Sequence, residues 1–181
     1  MPWTQKAEQS PSGSSEVDLM DNKIDNQQKY ENYAEQFRRL NKALANGFNL
    51  EAMFIAYALM EDRTESVLRH AGLWDAYMKS RKGREPTINS KVKYICNCAK
   101  SGNEFLKNYF ADDLLDQILV WKDERNRLIH ALLNQQFAHH EISALARQGN
   151  ELCRMLRSRV TNCNRAADRK RAAEEKSKCP E

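Results

Sequence analysis

Apolar residues recur every three or four positions from about residue 22 onward, and no useful stretch alternates apolar and polar residues with a period of two. This spacing predicts amphipathic helices and argues against a sheet. The predicted helices cover 22–46, 49–72, 87–100 and 113–134, with a short one over 103–110 and a last one from His139 into the C-terminal end. We therefore predict an all-α bundle of four main helices plus a short one, with an extended basic C-terminal helix.

Turn and capping residues mark several helix ends. Gly47 and Gly72 end the first and second helices, and Asn49 is a suitable cap for the start of the second. Gly149 is the position at which the last helix would kink. Between the second and third helices we predict a longer connection, 73–86, which is either a basic loop or a frayed helix end. Its cations are Lys79, Arg81, Lys82 and Arg84.

A length of 181 residues accommodates one domain with tails. Residues 1–21 contain almost nothing that a core would bury, which predicts a disordered leader. We assign 22–165 to the helical domain and 166–181 to a basic C-terminal tail. The apolar run 52–60 is about half of what a membrane-spanning helix needs, and the N-terminus lacks the regions of a secretion signal. We therefore expect a cytoplasmic protein without a membrane partner.

Positive charge is concentrated near the C-terminus. Residues 154–178 contain nine Lys or Arg and three Asp or Glu, a local charge of +6 within a chain whose total is +4. A solvated helix end explains this composition, and so does a segment that contacts phosphates.

The five cysteines are odd in number and have no framework spacing, which is typical of reduced thiols. Cys96 and Cys98 together offer only two metal ligands. We therefore predict no metal site and no cofactor.

The hydrophobic stripe of the 113–134 helix contains a polar gap. At about 100° per residue, one side of the helix presents the apolar residues Leu115, Ile118, Leu119, Ile129, Leu132 and Leu133. Between them the same side presents Lys122, Arg125 and Asn126. Burying such groups unpaired costs several kcal/mol, so they must be matched, open onto solvent or serve a partner. The gap predicts a site.

The second helix carries an acid that could match this gap. Glu61 falls near the middle of its predicted inner side, which is made of Leu50, Phe54, Tyr57, Thr64 and Leu68. A Glu61–Arg125 pair is either a structural ion pair or part of a site. His130 favours a site because it follows Asn126 by four residues and neighbours it on the helix surface. Arg125 and His130 are about 140° apart around the axis, a separation that a second copy of the helix across a twofold axis would bridge.

The segment Arg125-Asn126-Arg127-Leu128-Ile129-His130 resembles the signature of HEPN-domain ribonucleases, which is an Arg, a polar residue, three variable positions and a His. That family has an all-helical bundle of about this size, with the motif facing inward on a late helix. The likeness extends over roughly 25–165 in the number and order of helices. HEPN ribonucleases are generally metal-independent and dimeric, and the motifs of two protomers form one cleft.

The resemblance implies an endoribonuclease in which the ribose 2′-hydroxyl attacks the adjacent phosphate. Its catalytic residues would be Arg125 for the non-bridging oxygens, Asn126 for orientation and His130 for proton transfer. The supporting residues would be Glu61, which could hold Arg125, and the weaker candidates Asp62 and Arg63. The candidates for binding the RNA backbone are Lys122, Arg127, Lys79, Arg81, Lys82 and Arg84.

The implied partners are an RNA substrate and a second copy of the chain. Proteins of this family often act as toxins or antiviral effectors, which adds a neutralising antitoxin or a larger defence complex. Two alternatives stay open: a non-catalytic HEPN-like module that dimerises and binds RNA or a protein, and a plain helical scaffold. RNA binding without cleavage would indicate the first alternative. A loss of stability rather than of activity on replacing Arg125 and His130 would indicate the second.

Overall fold

The computed structural model describes residues 26–132, 134 and 138–178. Within them the chain forms seven helices and no strand, which confirms the all-α prediction. The helices are α1 (Asn26–Ala45), α2 (Asn49–His70), α3 (Trp74–Arg81), α4 (Ile88–Lys100), α5 (Glu104–Phe110), α6 (Leu114–Ala131) and α7 (His139–Lys178). None of these described helices is both long and apolar enough to cross a bilayer. The predicted leader 1–21, the start of the predicted first helix at 22–25, Leu133 and the last tail residues 179–181 lie outside the described residues.

Helix α2 lies at the centre of the bundle, where it packs against α1, α4 and α7. Its inward side is made of small or flexible apolar side chains, namely Ala52, Met53, Ala56, Met60, Val67 and Leu68. Helix α7 is 40 residues long, which corresponds to about 60 Å at 1.5 Å per residue. It continues through residues 165 and 166 to Lys178, so the basic segment is helical over its described part.

Most of the predicted helix ends are close to the observed ones. Gly47 and Gly72 follow α1 and α2 with φ of +74° and +68°, a left-handed conformation that favours glycine. Asn49 is the first residue of α2 rather than its cap, since Phe48 holds the cap position without a side-chain hydrogen bond. The predicted number of helices is one too low because the 73–86 connection contains α3.

Helix α3 forms where we predicted a basic loop or a frayed helix end. Tyr77 is fully buried, its hydroxyl lies 2.7 Å from Ser90 Oγ, and its ring contacts that of Tyr94. Trp74 at the start of α3 contacts the Arg69 guanidinium, with Cζ 4.1 Å from the ring centre. The aromatic pair at a spacing of three residues anchors this helix, and the loop prediction is wrong for 74–81.

Gly149 lies inside the continuous helix α7, where we predicted a kink. A Cβ at this position would lie only 2.5 Å from Cζ2 of Trp121 on α6. The Trp121 indole Nε1 also donates a hydrogen bond of 2.8 Å to the Leu145 carbonyl oxygen, one turn earlier on α7. Gly149 thus forms a notch that lets the Trp121 ring lie directly against the α7 backbone.

Candidate active site

The inward-facing stripe of α6 places an arginine where a bundle normally has an apolar residue. Its buried members follow one another at alternating spacings of four and three residues and are Leu114, Ile118, Trp121, Arg125 and Leu128. The expected stripe is confirmed at Leu115 and Ile118, which are buried, whereas the described residues Leu119, Ile129 and Leu132 are only half-buried. The stripe is therefore rotated slightly relative to the prediction, and this rotation moves Arg125 to its centre.

The predicted polar gap narrows to one buried residue. Arg125 is only 9% exposed, whereas Lys122 and Asn126, which both lie on one flank of the stripe, are half-buried. The Lys122 side chain is largely covered, and its Nζ forms a salt bridge of 2.6 Å with Oδ1 of the exposed Asp123. Arg127 is exposed. Of the two predicted cations in the gap, Arg125 is buried without a carboxylate partner, whereas Lys122 is paired with Asp123.

Two aromatic rings of α2 surround the Arg125 guanidinium. Its Cζ lies 4.5 Å from the ring centre of Phe54 and 4.9 Å from that of Tyr57. Arg125 Nη1 donates a hydrogen bond of 2.9 Å to Asn126 Oδ1, while the buried Nε has no hydrogen-bond partner in the described chain. Burial lowers the pKa of Arg125, although the neighbouring Tyr57 acts in the opposite direction. The site is thus a cation held by aromatic faces and one amide.

The inner side of α2 differs from the prediction at two residues. Phe54 is 53% exposed, and Leu50 is also exposed, whereas Thr64 and Leu68 are buried as predicted. The neighbours Ala52, Met53 and Ala56 face the core instead. Their smaller or more flexible side chains let α1 and α7 pack closely on α2. Phe54 is left at the surface, with its ring against Arg125.

Glu61 pairs with a lysine of α4 and not with Arg125, so the predicted Glu61–Arg125 pair is wrong. Its Oε1 lies 3.6 Å from Lys91 Nζ, and Glu65 Oε2 lies 3.3 Å from the same atom. Lys91 is only 3% exposed and requires these acids, since an unpaired buried ammonium is costly. Across the described residues, Arg125 forms no salt bridge with any carboxylate.

Asp62 and Arg63 belong to a cluster between α1 and α2. The Arg63 guanidinium stacks on the Tyr33 ring at 4.0 Å, and its Nε donates to Asp62 Oδ2 at 3.0 Å. Lys29 Nζ lies 3.2 Å from the other Asp62 oxygen. Burial alone would raise the pKa of Asp62, but the charges and hydrogen bonds of Arg63 and Lys29 outweigh it and lower that pKa.

This cluster borders an apolar cleft of about 430 Å³ between α1 and α2, and the Phe54 ring forms part of its wall. Tyr33, Ile55 and Leu59 supply other apolar parts of the lining. Phe54 also contacts Arg125, so the same aromatic ring borders both the cleft and the buried guanidinium. Asp62 and Arg63 are therefore near the candidate site but do not contact Arg125.

His130 is exposed, five residues after Arg125 on α6. Within the described chain it forms no hydrogen bond or salt bridge, and it does not contact Arg125. The motif therefore presents a buried guanidinium and a solvent-exposed imidazole on one helix, so the inward-facing motif that the resemblance implied is found at Arg125 but not at His130. A single chain does not bring the two groups together.

The basic residues 79–84 lie at the end of α3 and in the turn after it. Arg81 Nη2 donates to the Glu85 carbonyl oxygen at 3.0 Å, and Lys82 ends the helix in a left-handed conformation. No hydrogen bond or salt bridge of the described structure links Lys79, Arg81, Lys82 or Arg84 to the 125–130 segment. Their predicted role in RNA binding stays a prediction.

We compared the chain with protein-family models, curated proteins and solved structures, and none matches. The residues and their geometry thus carry the functional argument. Sequence reasoning missed Trp121, Lys91 and the partnership of Phe54 with Arg125. Trp121 could have been found, because it lies four residues before Arg125 in the stripe. The identity of the helix that faces Arg125 is a tertiary property without a local signal.

Proposed function

We propose that this protein is a metal-independent endoribonuclease that cleaves RNA by attack of a ribose 2′-hydroxyl on the adjacent phosphate, as the resemblance of 125–130 to HEPN ribonucleases suggests. The observation that supports it is the buried Arg125 in the middle of an apolar helix stripe. Asn126 is bonded to it and His130 is exposed beyond it. These are a cation, an orienting amide and a proton-transfer group within six residues.

The energetics of Arg125 favour a functional role. Removing a guanidinium from water without a carboxylate partner costs several kcal/mol, and stacking on aromatic rings returns about 1–2 kcal/mol. An apolar residue at 125 would pack against Trp121 and Leu128 without this cost. A purely structural helix therefore gains little from arginine here, whereas a site that neutralises a phosphorane requires a fixed cation.

The proposed reaction needs two proton transfers. The 2′-hydroxyl loses its proton as its oxygen bonds to phosphorus, and the P–O5′ bond then breaks as the leaving 5′-oxygen takes a proton. His130 is our choice for proton transfer, because an imidazole can both accept and donate a proton, while Arg125 supplies positive charge for the non-bridging oxygens. The products are a 2′,3′-cyclic phosphate, which hydrolyses to a 3′-phosphate, and a free 5′-hydroxyl.

Two copies of the chain would complete such a site. Arg125 and His130 lie about 140° apart on α6, and the first is buried while the second is exposed. We propose that α6 helices of two copies approach across a twofold axis, so that His130 of one copy lies beside Arg125 of the other.

Cleavage of labelled RNA in EDTA tests this function. We expect the purified protein to cut RNA with chelator present, and we expect His130→Ala and Arg125→Ala to slow cleavage by about 10²–10⁴-fold. Replacing the exposed Arg147 with Ala is the matched control and should change the rate little. A substrate with a single ribose should be cut only after that residue. Activity that disappears with chelator would contradict the metal-free reaction.

Mixing the two inactive variants tests the shared site. If each site takes Arg125 and His130 from different copies, a heterodimer of Arg125→Ala and His130→Ala retains one intact site of two. Random pairing then restores about a quarter of the wild-type activity. If the mixture stays as inactive as its parts, the two residues do not act across copies. Binding of RNA without cleavage in the wild-type protein would instead support a non-catalytic module.

A further inference from the structure

A second surface of the molecule is strongly basic. A groove of about 570 Å³ runs between α1 and α7, and three arginines of α7 line it: Arg154, Arg157 and Arg165. All three are exposed. The described residues that line the groove include no carboxylate. The groove is therefore a concave, positively charged surface.

The charge of this groove is not neutralised within the chain. Elsewhere on the surface cations face acids, as in the Arg39–Glu51, Lys107–Glu104 and Arg171–Asp168 salt bridges. In the described structure, by contrast, none of the three groove arginines forms a salt bridge. Like charges on one helix face repel one another, so this arrangement is unfavourable unless an anion binds there.

Neutral groups hold two of the arginines in place. Arg154 Nη2 donates to Asn41 Oδ1 at 2.9 Å. The Arg157 guanidinium lies 4.8 Å from the ring centre of Phe37 and 5.9 Å from that of Tyr33. These contacts fix the guanidinium groups without cancelling their charge, so an anion that binds them pays less to order the side chains. The groove is preorganised for an anionic ligand.

We infer that this groove binds the phosphate backbone of single-stranded RNA. Arg154 and Arg165 are eleven residues apart, about 16 Å along the helix, which suits an extended polyanion rather than one phosphate. Between them, the Ser158 hydroxyl and the Asn162 amide can donate hydrogen bonds to phosphate oxygens, whereas the Thr161 hydroxyl donates to the Arg157 carbonyl oxygen. The apolar part of the lining, Phe37, is buried, so nothing in the groove would insert into a lipid layer.

This inference extends the proposed function, since the bound strand would be the ribonuclease's substrate. Its test is independent, because it measures binding of a strand that cannot be cut. The probe is a fluorescent 2′-O-methyl oligoribonucleotide, which lacks the attacking hydroxyl, and the readout is anisotropy against the full chain over a series of salt concentrations. The groove variant is Arg154→Gln/Arg157→Gln/Arg165→Gln. The matched control is Arg39→Gln/Lys107→Gln/Arg171→Gln, which removes the same net charge from paired positions.

We expect the groove variant to bind about tenfold more weakly at low salt. The slope of log K against log salt should become shallower by about 2, at roughly 0.7 per lost phosphate contact on a single strand. The control should stay within about twofold of wild type. Because losing Arg157 removes a contact with two aromatic rings, a second variant keeps all three arginines: Thr161→Glu places a carboxylate between them and should also weaken binding.

Two results would overturn the inference. One is that the groove variant and its control bind the oligoribonucleotide equally weakly. The other is binding to vesicles of anionic lipid that the groove variant loses while RNA binding is unchanged, which would assign the groove to a membrane surface. Groove-dependent binding without any RNA cleavage would refute the proposed ribonuclease and leave the groove assignment intact. Cleavage of short RNA by a groove variant that no longer binds the probe would support both.

Discussion

The Arg125 guanidinium lies 4.5 Å from the centre of the Phe54 ring, with the charged residue buried and the aromatic residue 53% exposed. This reverses the usual distribution, in which the charge faces water and the ring faces the core. Phe54 thus covers Arg125 from the solvent side while contributing little to the core. The proposed reaction therefore depends on a residue outside the 125–130 motif.

Replacing Phe54 with Ala should reduce cleavage more than stability. The change removes one of the two rings against Arg125, a contact worth about 1 kcal/mol, which corresponds to about a fivefold slower reaction. Because the ring is half in solvent, the free energy of unfolding should fall by no more than about 1 kcal/mol. Steady-state cleavage and thermal melts measure the two effects. Phe48→Ala is the control, since Phe48 is 59% exposed and does not contact Arg125. Equal effects of the two variants on cleavage would contradict the role of Phe54.

Adding a methyl group at Gly149 should destabilise the bundle. Alanine is a better helix former than glycine by about 1 kcal/mol, but its Cβ would lie 2.5 Å from Trp121 Cζ2. Overpacking of this kind costs about 1–3 kcal/mol. Urea denaturation of Gly149→Ala measures the net change, and adding Trp121→Phe to it should recover part of the loss. A Gly149→Ala protein more stable than wild type would contradict the close α6–α7 packing.

Replacing Glu61 with Gln should leave cleavage within about twofold of wild type. Glu61 pairs with Lys91, and the Glu65 carboxylate still contacts Lys91 in the variant. The free energy of unfolding should fall by less than about 1 kcal/mol, because the Glu61 side chain is partly open to water. Cleavage assays alongside urea denaturation check both expectations. If Glu61→Gln lost as much activity as Arg125→Ala, Glu61 would act on Arg125 after all.

The stabilising effect of Asp62 should depend on pH at the acid end. Burial acts to raise the pKa of Asp62, but Arg63 and Lys29 lower it below its ordinary value. A carboxyl group whose pKa is lower in the folded chain contributes stability above its unfolded pKa, about 3.9, and loses that contribution as pH falls through its folded pKa. The difference in unfolding free energy between wild type and Asp62→Asn should therefore be constant from about pH 5 to 7 and shrink in more acidic solution. If the difference does not vary with pH, the ionisation of Asp62 does not contribute to the stability of the fold.

Local signals account for the parts of the structure that were predicted. Periodicity gave most of the helices, and the turn glycines Gly47 and Gly72 gave two ends, because each depends on residues close in sequence. Thr87 caps α4 through a reciprocal pair of hydrogen bonds with Ser90, which is also a local arrangement. The inward position of Arg125 followed from its spacing within the apolar stripe.

The missed features depend on which helices pack together. Glu61 lies on the same helix as Tyr57, yet it faces Lys91 because α4 packs along that side of α2. From the sequence alone, Gly149 suggested a kink in the last helix. The structure shows that the Trp121 ring lies so close to Gly149 that a larger residue would not fit there. Helix α3 was not predicted, because the aromatic residues that pack it against the bundle are interspersed with basic residues. None of these arrangements has a signal within a single helix.

The notch at Gly149 also affects how α6 is rotated about its own axis. Trp121 packs against α7 one turn before Arg125, and its contacts favour the observed rotation of α6. Turning the helix by one residue, about 100°, would swing the guanidinium away from its aromatic cover and bring a neighbour into its place. In the proposed enzyme, the missing side chain of a glycine on one helix would thus help to determine which side chain of another helix faces the phosphate.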